Sequence, residues 1–307
     1  MTPRAQAVML LTVSLGKSDA DPLTPVEWGE FAHWLRESGR SPEDLLRGDL
    51  SDLPRDCGHP RVTAERLQAL LNRGAALALR LDRWQGAGLW VLTRSDSGYP
   101  RRLKQRLRRR APAVLFGCGD EKLFNGNGIA VVGSRNATPD DIRFAEDIGR
   151  GAAARGRLVV SGGARGVDQA AMLGALHAGG TAVGVLSDNL LRSATSARYR
   201  ASLMSGDLAL ISPFNPEARF RVGNAMARNK YIYCLAEEAV IVSSTPDRGG
   251  TWTGAVENLK REWVPLMVKR TEARDSGNPR LVELGGRWLE HIDDLADSAP
   301  ADENRRM

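Results

Sequence analysis

Four short segments bring small residues together with guanidinium groups or hydroxyls: Gly133-Ser134-Arg135, Gly162-Gly163-Ala164-Arg165-Gly166, Arg228-Asn229-Lys230 and Arg248-Gly249-Gly250-Thr251-Trp252-Thr253. Glycine lets the main chain approach a ligand closely, consecutive amide N–H groups attract an anion, and a planar guanidinium forks onto a phosphate with two hydrogen bonds. Arg135, Arg165, Arg228 and Lys230 supply charge, Ser134, Thr251 and Thr253 supply hydroxyls, and Gly133, Gly163, Gly166 and Gly250 supply bare backbone. These residue types suit phosphate, provided that the fold assembles them.

The elements needed for that assembly are written in the hydrophobic pattern. From Gly128 onward, apolar strands alternate with amphipathic helices: Ile129 to Val132, Leu158 to Val160, Ala182 to Leu186, Leu208 to Ile211, Ala239 to Val242 and Val264 to Val268. Continuous apolar strands separated by helices predict a parallel sheet covered on both faces and joined by right-handed crossovers. The fold class is therefore α/β, a Rossmann-like, doubly wound and mainly parallel sheet, with a small helical domain in front of it. In such a sheet the carboxyl ends of the strands share one rim, so loops distant in sequence can converge on one crevice. The first helix of this part starts at Thr138 as N-cap with Pro139 in the first helical position, and Asp140 and Asp141 complement its dipole.

Upstream, Trp28, Phe31, Trp34 and Leu35 recur at helical spacing, as do Val62, Leu67, Leu70 and Leu71, with turns at Asp21-Pro22, Ser41-Pro42 and Asp56 to Pro60. The organisation predicted is a helical domain over 1–85, a bridging segment over 86–127, a Rossmann-like domain over 128–295 and a disordered acidic tail over 296–307. The bridge holds two short strands, at Leu89 to Leu92 and Ala113 to Phe116. Between them, Arg101, Arg102, Lys104, Arg106, Arg108, Arg109 and Arg110 surround Leu103 and Leu107 on one short helix, as a solvated face or a second nucleic-acid contact.

Composition narrows the partners. The chain has 43 Lys+Arg against 37 Asp+Glu, a formal charge of +6 and a sequence pI near 9.5, which fits a polyanion. Cys57, Cys118 and Cys234 lack metal-binding or disulfide spacing, and His33, His59, His177 and His291 are scattered. No metal or cofactor is expected. The apolar run Ala7 to Leu15 is too short to span a bilayer and reads as a buried helix of a cytoplasmic protein with no membrane partner.

Familiar nucleotide motifs fail. No G-x-G-x-x-G follows the Ile129 to Val132 strand, and Gly16-Lys17-Ser18 mimics a P-loop end without the first glycine, Leu11 standing there instead. What remains resembles the DNA-processing protein family DprA, also called Smf. Gly128 to Arg135 resembles its opening strand and G-S-R turn. Val159 to Asp168 resembles its V-S-G-x-A-R-G-I-D segment, Arg228-Asn229-Lys230 its R-N-R, and Arg248 to Ala255 its S-G-S-x-x-T-A turn. The likeness covers roughly Leu89 to Leu295, with a vaguer, SAM-like one in the helical start. It implies a homodimer that binds and protects single-stranded DNA without base chemistry and loads a RecA-type recombinase, in transformation or recombination.

The chain departs from that family where a phenylalanine stacks on a base. The stretch here is Phe220-Arg221-Val222-Gly223-Asn224-Ala225-Met226-Ala227, with Ala225 at the aromatic position and Val222 at a basic one. Phe220 and Arg221, or Trp252, are the candidates to substitute. Two other readings use the same crevice. A nucleotide phosphoribohydrolase would need P-G-G-x-G-T-x-x-E, but Arg248, Trp252 and Val256 occupy its proline, last glycine and glutamate positions, with Glu257 one residue off. A sensor of a small nucleotide in phage defence would need only the phosphate site.

Overall fold

The computed structural model describes residues 1–16, 20–47, 50, 53, 57–273, 275–290 and 292–295. The P-loop mimic at Lys17-Ser18, the start of the Asp56 turn, His291 and the predicted tail lie outside them. The chain groups into two units, Met1–Gly117 with Ser212–Ala218, and Cys118–Ile211 with Arg219–Met307.

The first unit contains α1 (Pro3–Thr12), α2 (Pro25–Glu37), α3 (Ala64–Leu71) and α4 (Gly74–Gly86), followed by the antiparallel pair β1 (Trp90–Thr93) and β2 (Val114–Gly119), with α5 (Arg101–Leu107) between the two strands. Ala7 to Leu11 are buried in α1, as the apolar run predicts. Of the segment that the sequence sets apart as a bridge, residues 86–117 group with the helices and 118–127 with the second unit; the buried Trp84 of α4 meets Phe116 of β2 edge to face at 5.1 Å.

At the head of α2, Thr24 and Glu27 cap each other's backbone amides, with Pro25 behind Thr24. Glu27 is nearly buried and also receives Arg66 and Arg61. Burial pushes its carboxyl pKa up, but the Arg66 hydrogen bond and the Thr24 amide outweigh it, and the carboxyl falls from 4.5 to about 2. A folded pKa below the unfolded one adds stability that is complete above pH 4.5 and fades as the pH drops toward 2. That contribution is about 3 kcal/mol. Glu27→Gln should therefore lower the chemical stability of the helical unit at pH 7 by about that amount and by progressively less below pH 4, as read in urea titrations.

The second unit is a seven-stranded sheet in which every pairing is parallel, in the order β6-β5-β4-β3-β7-β8-β9. Its strands are β3 (Gly128–Val132), β4 (Leu158–Ser161), β5 (Ala182–Val185), β6 (Leu208–Ser212), β7 (Glu238–Ile241), β8 (Leu266–Lys269) and β9 (Arg287–Leu289). The six predicted strands are present. β9 escapes the periodicity, since it is three residues long and presents Arg287 to solvent. The crossovers are α6 (Pro139–Ala154), α7 (Val167–His177), the α8 (Leu190–Ala194) and α9 (Ala197–Ser205) pair, α10 (Val222–Leu235), α11 (Gly249–Arg261) and α12 (Asn278–Glu283).

Thr138 caps α6 through a reciprocal pair with Asp141. α6 and α7 pack backbone to backbone: a Cβ on Gly149 would lie 2.3 Å from the Ala171 carbonyl oxygen, and one on Gly174 2.4 Å from that of Glu146. The chain first moves outward from β3 through β4 and β5 to β6, then returns through α10 to place β7 on the other side of β3. β3 is the switch point, where loops from the two halves part and leave a crevice.

Candidate functional site

A crevice of about 320 Å³ opens beyond the carboxyl ends of β3 and β7. Its walls are the Gly133-Ser134-Arg135 turn, Ala164 and Asp168, the start of α10, and the Ser243-to-Thr251 stretch leading into α11. Three of the four segments singled out from sequence meet here directly, and the fourth contributes Ala164.

Hydrogen bonds fix the loops to one another. Thr251 donates its hydroxyl to the Gly133 carbonyl at 3.0 Å, Ser134 N–H donates to the Ser243 hydroxyl at 3.3 Å, and Asn229 donates to the Gly250 carbonyl at 2.8 Å. Asp168 accepts from the amides of Ala164 and Gly133. Below them Asn278, fully buried, donates to the carbonyls of Val242 and Lys269 and accepts from Ser244. Asp168, Asn229 and Thr251 thus hold the scaffold.

Three arginines line the crevice, of which Arg248 is exposed at the start of α11. Arg135 is exposed, and its guanidinium lies 4.8 Å from the ring centroid of Phe220, which is 46% exposed at the mouth. Arg228 is 4% exposed on the inner wall. Its Nη1 stands 3.8 Å from the Asp168 carboxylate, an ion pair too long to be a hydrogen bond, and among the described residues its Nε and Nη1 find no acceptor. Burial pushes the Arg228 pKa down, Asp168 pulls it back up, and Arg135 pushes it down again. Burial likewise raises the Asp168 carboxyl, against Arg228 and the two amides. A buried guanidinium with unfilled donors, repelled by a second cation, has the capacity to accept an anion.

The helix starts add to this field. α10 and α11 begin at Arg221 and Arg248, neither with a side-chain cap, and both first turns line the crevice. Their leading N–H groups have no intrahelical partner and carry the positive end of the dipole.

The remaining predicted residues lie elsewhere or serve other ends. Arg165 is exposed on the turn between β4 and α7 and does not line the crevice, whereas Gly163 and Gly166 shape that turn. Lys230 lies over the Tyr231 ring at 5.1 Å, outside the lining. Thr253 returns its hydroxyl to the Gly249 carbonyl of its own helix. Arg221 is exposed at the N-cap of α10. Trp252 is buried against Gly277 with Arg280 over its face at 5.6 Å, so it offers no face to a ligand. Of the substitutes for the missing stacking aromatic, Phe220 is the one placed for it.

The Ser243-Ser244-Thr245 wall was missed. Its signal was a polar triplet directly after the β7 apolar run, at the same carboxyl rim as the glycine turns.

A model of the family "DNA recombination-mediator protein A" matches residues 90–300. DNA processing protein DprA of Streptococcus pneumoniae is 28% identical over 210 residues, 68% of this chain and 70% of that one. DprA-type relatives from Mycobacterium tuberculosis are 30% identical over 193 residues, 61% of this chain. The chain spans about half the length of these last relatives (49%). Among solved structures, DprA of S. pneumoniae superposes with a TM-score of 0.74 at 18% identity, over 96% of this chain and 97% of that one. DprA of Helicobacter pylori, described for its single-stranded DNA binding mode, superposes with a TM-score of 0.56 at 23% identity, over 67% and 93%.

Proposed function

This chain belongs to the DNA recombination-mediator protein A family, DprA or Smf, and on that premise we propose that its switch-point crevice grips the phosphate backbone of single-stranded DNA. The observation that carries the reading is the buried Arg228 with two unfilled donors beside the exposed Arg135, at the meeting of two uncapped helix starts. Contacts of this kind position a strand without reading its sequence. Phe220 stacks a base at the mouth.

The lining favours holding over bond breaking. Its one carboxylate, Asp168, is engaged by two amides and Arg228, and the described lining has no histidine or cysteine to move a proton or attack a substrate. The bound strand is delivered to a RecA-type recombinase by a homodimer in the cytoplasm; a monomer mass in light scattering at tens of micromolar would remove the dimer from this reading.

Equilibrium titration with oligothymidine tests the binding. Single strands should bind more tightly than duplex of equal length, with log affinity falling against log salt by about 0.7 per phosphate neutralised. A preference for duplex, or tighter binding of a free nucleotide than of the oligomer, would reject it. Phe220→Ala should weaken oligothymidine by about 1 to 3 kcal/mol, the worth of one stacked base, while Phe220→Tyr keeps it.

A further inference from the structure

The exposed Arg165 and the glycines around it acquire a role from a second cavity. The Gly162-to-Gly166 turn separates two hollows of the sheet unit: Ala164 lines the crevice described above, whereas Gly163, the residue before it, lines a second cavity of about 360 Å³. The far walls of that second cavity come from α8 and α9, with Arg192, Ser193, Ser196, Arg198 and the buried Tyr199. Arg192 and Arg198 are exposed. With the Gln169 amide oxygen facing it, Arg198 is held by the first turns of α7, directly behind the glycine turn. Asp188, in the loop before α8, is engaged by the Ser187 hydroxyl and the Asn189 amide at 2.7 and 2.6 Å. Among the described residues, no carboxylate lines this cavity.

From this arrangement we infer that the glycine turn is a saddle over which one strand passes, and that Arg192 and Arg198 form a second phosphate site on its far side. Resting on the single-stranded DNA reading of the crevice, the inference extends it toward the β5 and β6 side of the sheet. Arg165 follows Gly163 and Ala164 on the same turn, exposed and part of neither lining, and on this reading it meets the strand as it crosses. Gly163, with φ of +65°, and Gly166, with φ of +95°, keep the saddle low: a Cβ on Gly166 would lie 2.5 Å from the Ser134 carbonyl oxygen. A strand short enough to fill only the crevice would not reach Arg192 and Arg198; a longer one would meet both.

The readout is the ratio of affinities for a fifteen-residue and a four-residue oligothymidine. In the wild type the longer strand should be favoured, and Arg192→Glu/Arg198→Glu should lower that ratio at least tenfold, and the salt slope for the longer strand by about 1.4, two phosphates' worth. Arg192→Gln/Arg198→Gln should give the same change in smaller measure, and a thermal melt reports whether either variant is folded. An unchanged ratio in a folded variant, or equal losses at both lengths, overturns the saddle. Arg135→Glu separates the two readings. If it abolishes binding at both lengths while the Arg192 and Arg198 variants leave the ratio intact, the second site alone is wrong; if it leaves both affinities intact, the crevice is not the site and the saddle falls with it.

Discussion

Arg135→Glu should reduce affinity for oligothymidine by about 100-fold or more at low salt, with little change in melting temperature. The side chain is exposed, so its replacement opens no cavity. Loss of a charge-assisted contact to phosphate costs about 1.5 to 3 kcal/mol, the upper part of which is already 100-fold. The substitution does more than remove it. Arg135 is close enough to Arg228 to depress its pKa, and a carboxylate at the same position would complete the buried guanidinium that a phosphate is meant to complete. The variant carries its own competitor. Arg135→Gln, without that competitor, should lose less, and the gap between the two should shrink as salt rises. Fluorescence titrations of both variants across a salt series would show this; wild-type affinity in Arg135→Glu would end the assignment.

Gly162→Ala should have the largest effect on folding. A Cβ there would lie 1.5 Å from Arg228 Nη1, 2.4 Å from its Cζ and 2.4 Å from Asp168 Oδ2. The guanidinium can give way only toward the crevice, which draws it off the Asp168 carboxylate that it faces at 3.8 Å. Overpacking costs about 1 to 3 kcal/mol and separation of a buried ion pair about 3 to 5, so the expected loss is about 4 kcal/mol, or a fall in melting temperature of about 10 °C. Arg228→Met should cost a similar amount by leaving Asp168 buried without its cation. The two changes together should cost far less than their sum, since each removes what the other strains. Additive losses in thermal melts would show that Gly162 and Arg228 do not meet as described.

The legible parts of this molecule are those in which local chemistry and fold agree. Six parallel strands could be read from apolar runs, because strands buried on both faces need no alternation; β9 could not, because an exposed edge strand of three residues has no pattern to show. The Thr138-Pro139-Asp141 start of α6 was written in full. Within the crevice, the glycine and arginine turns were visible as types, but their division of labour was not. Sequence gives Arg228 and Arg165 the same appearance, yet one is buried against Asp168 and the other stands free in solvent. Trp252 reads as a stacking candidate until its burial under Arg280 is known. Side-chain direction depends on packing from elements far away in the chain, and no local window contains it.

The interlocked backbones of α6 and α7 bear on how a strand is caught. The turn bearing Arg135 leads into α6, and the turn bearing Gly162 to Gly166 leads into α7. Because Gly149 and Gly174 seat each helix against the other's carbonyls, neither turn can swing without dragging its neighbour. The two fingers should therefore move as one jaw, and on the proposed reading the observed rate of DNA capture should rise linearly with DNA concentration rather than level off at the pace of a closing gate.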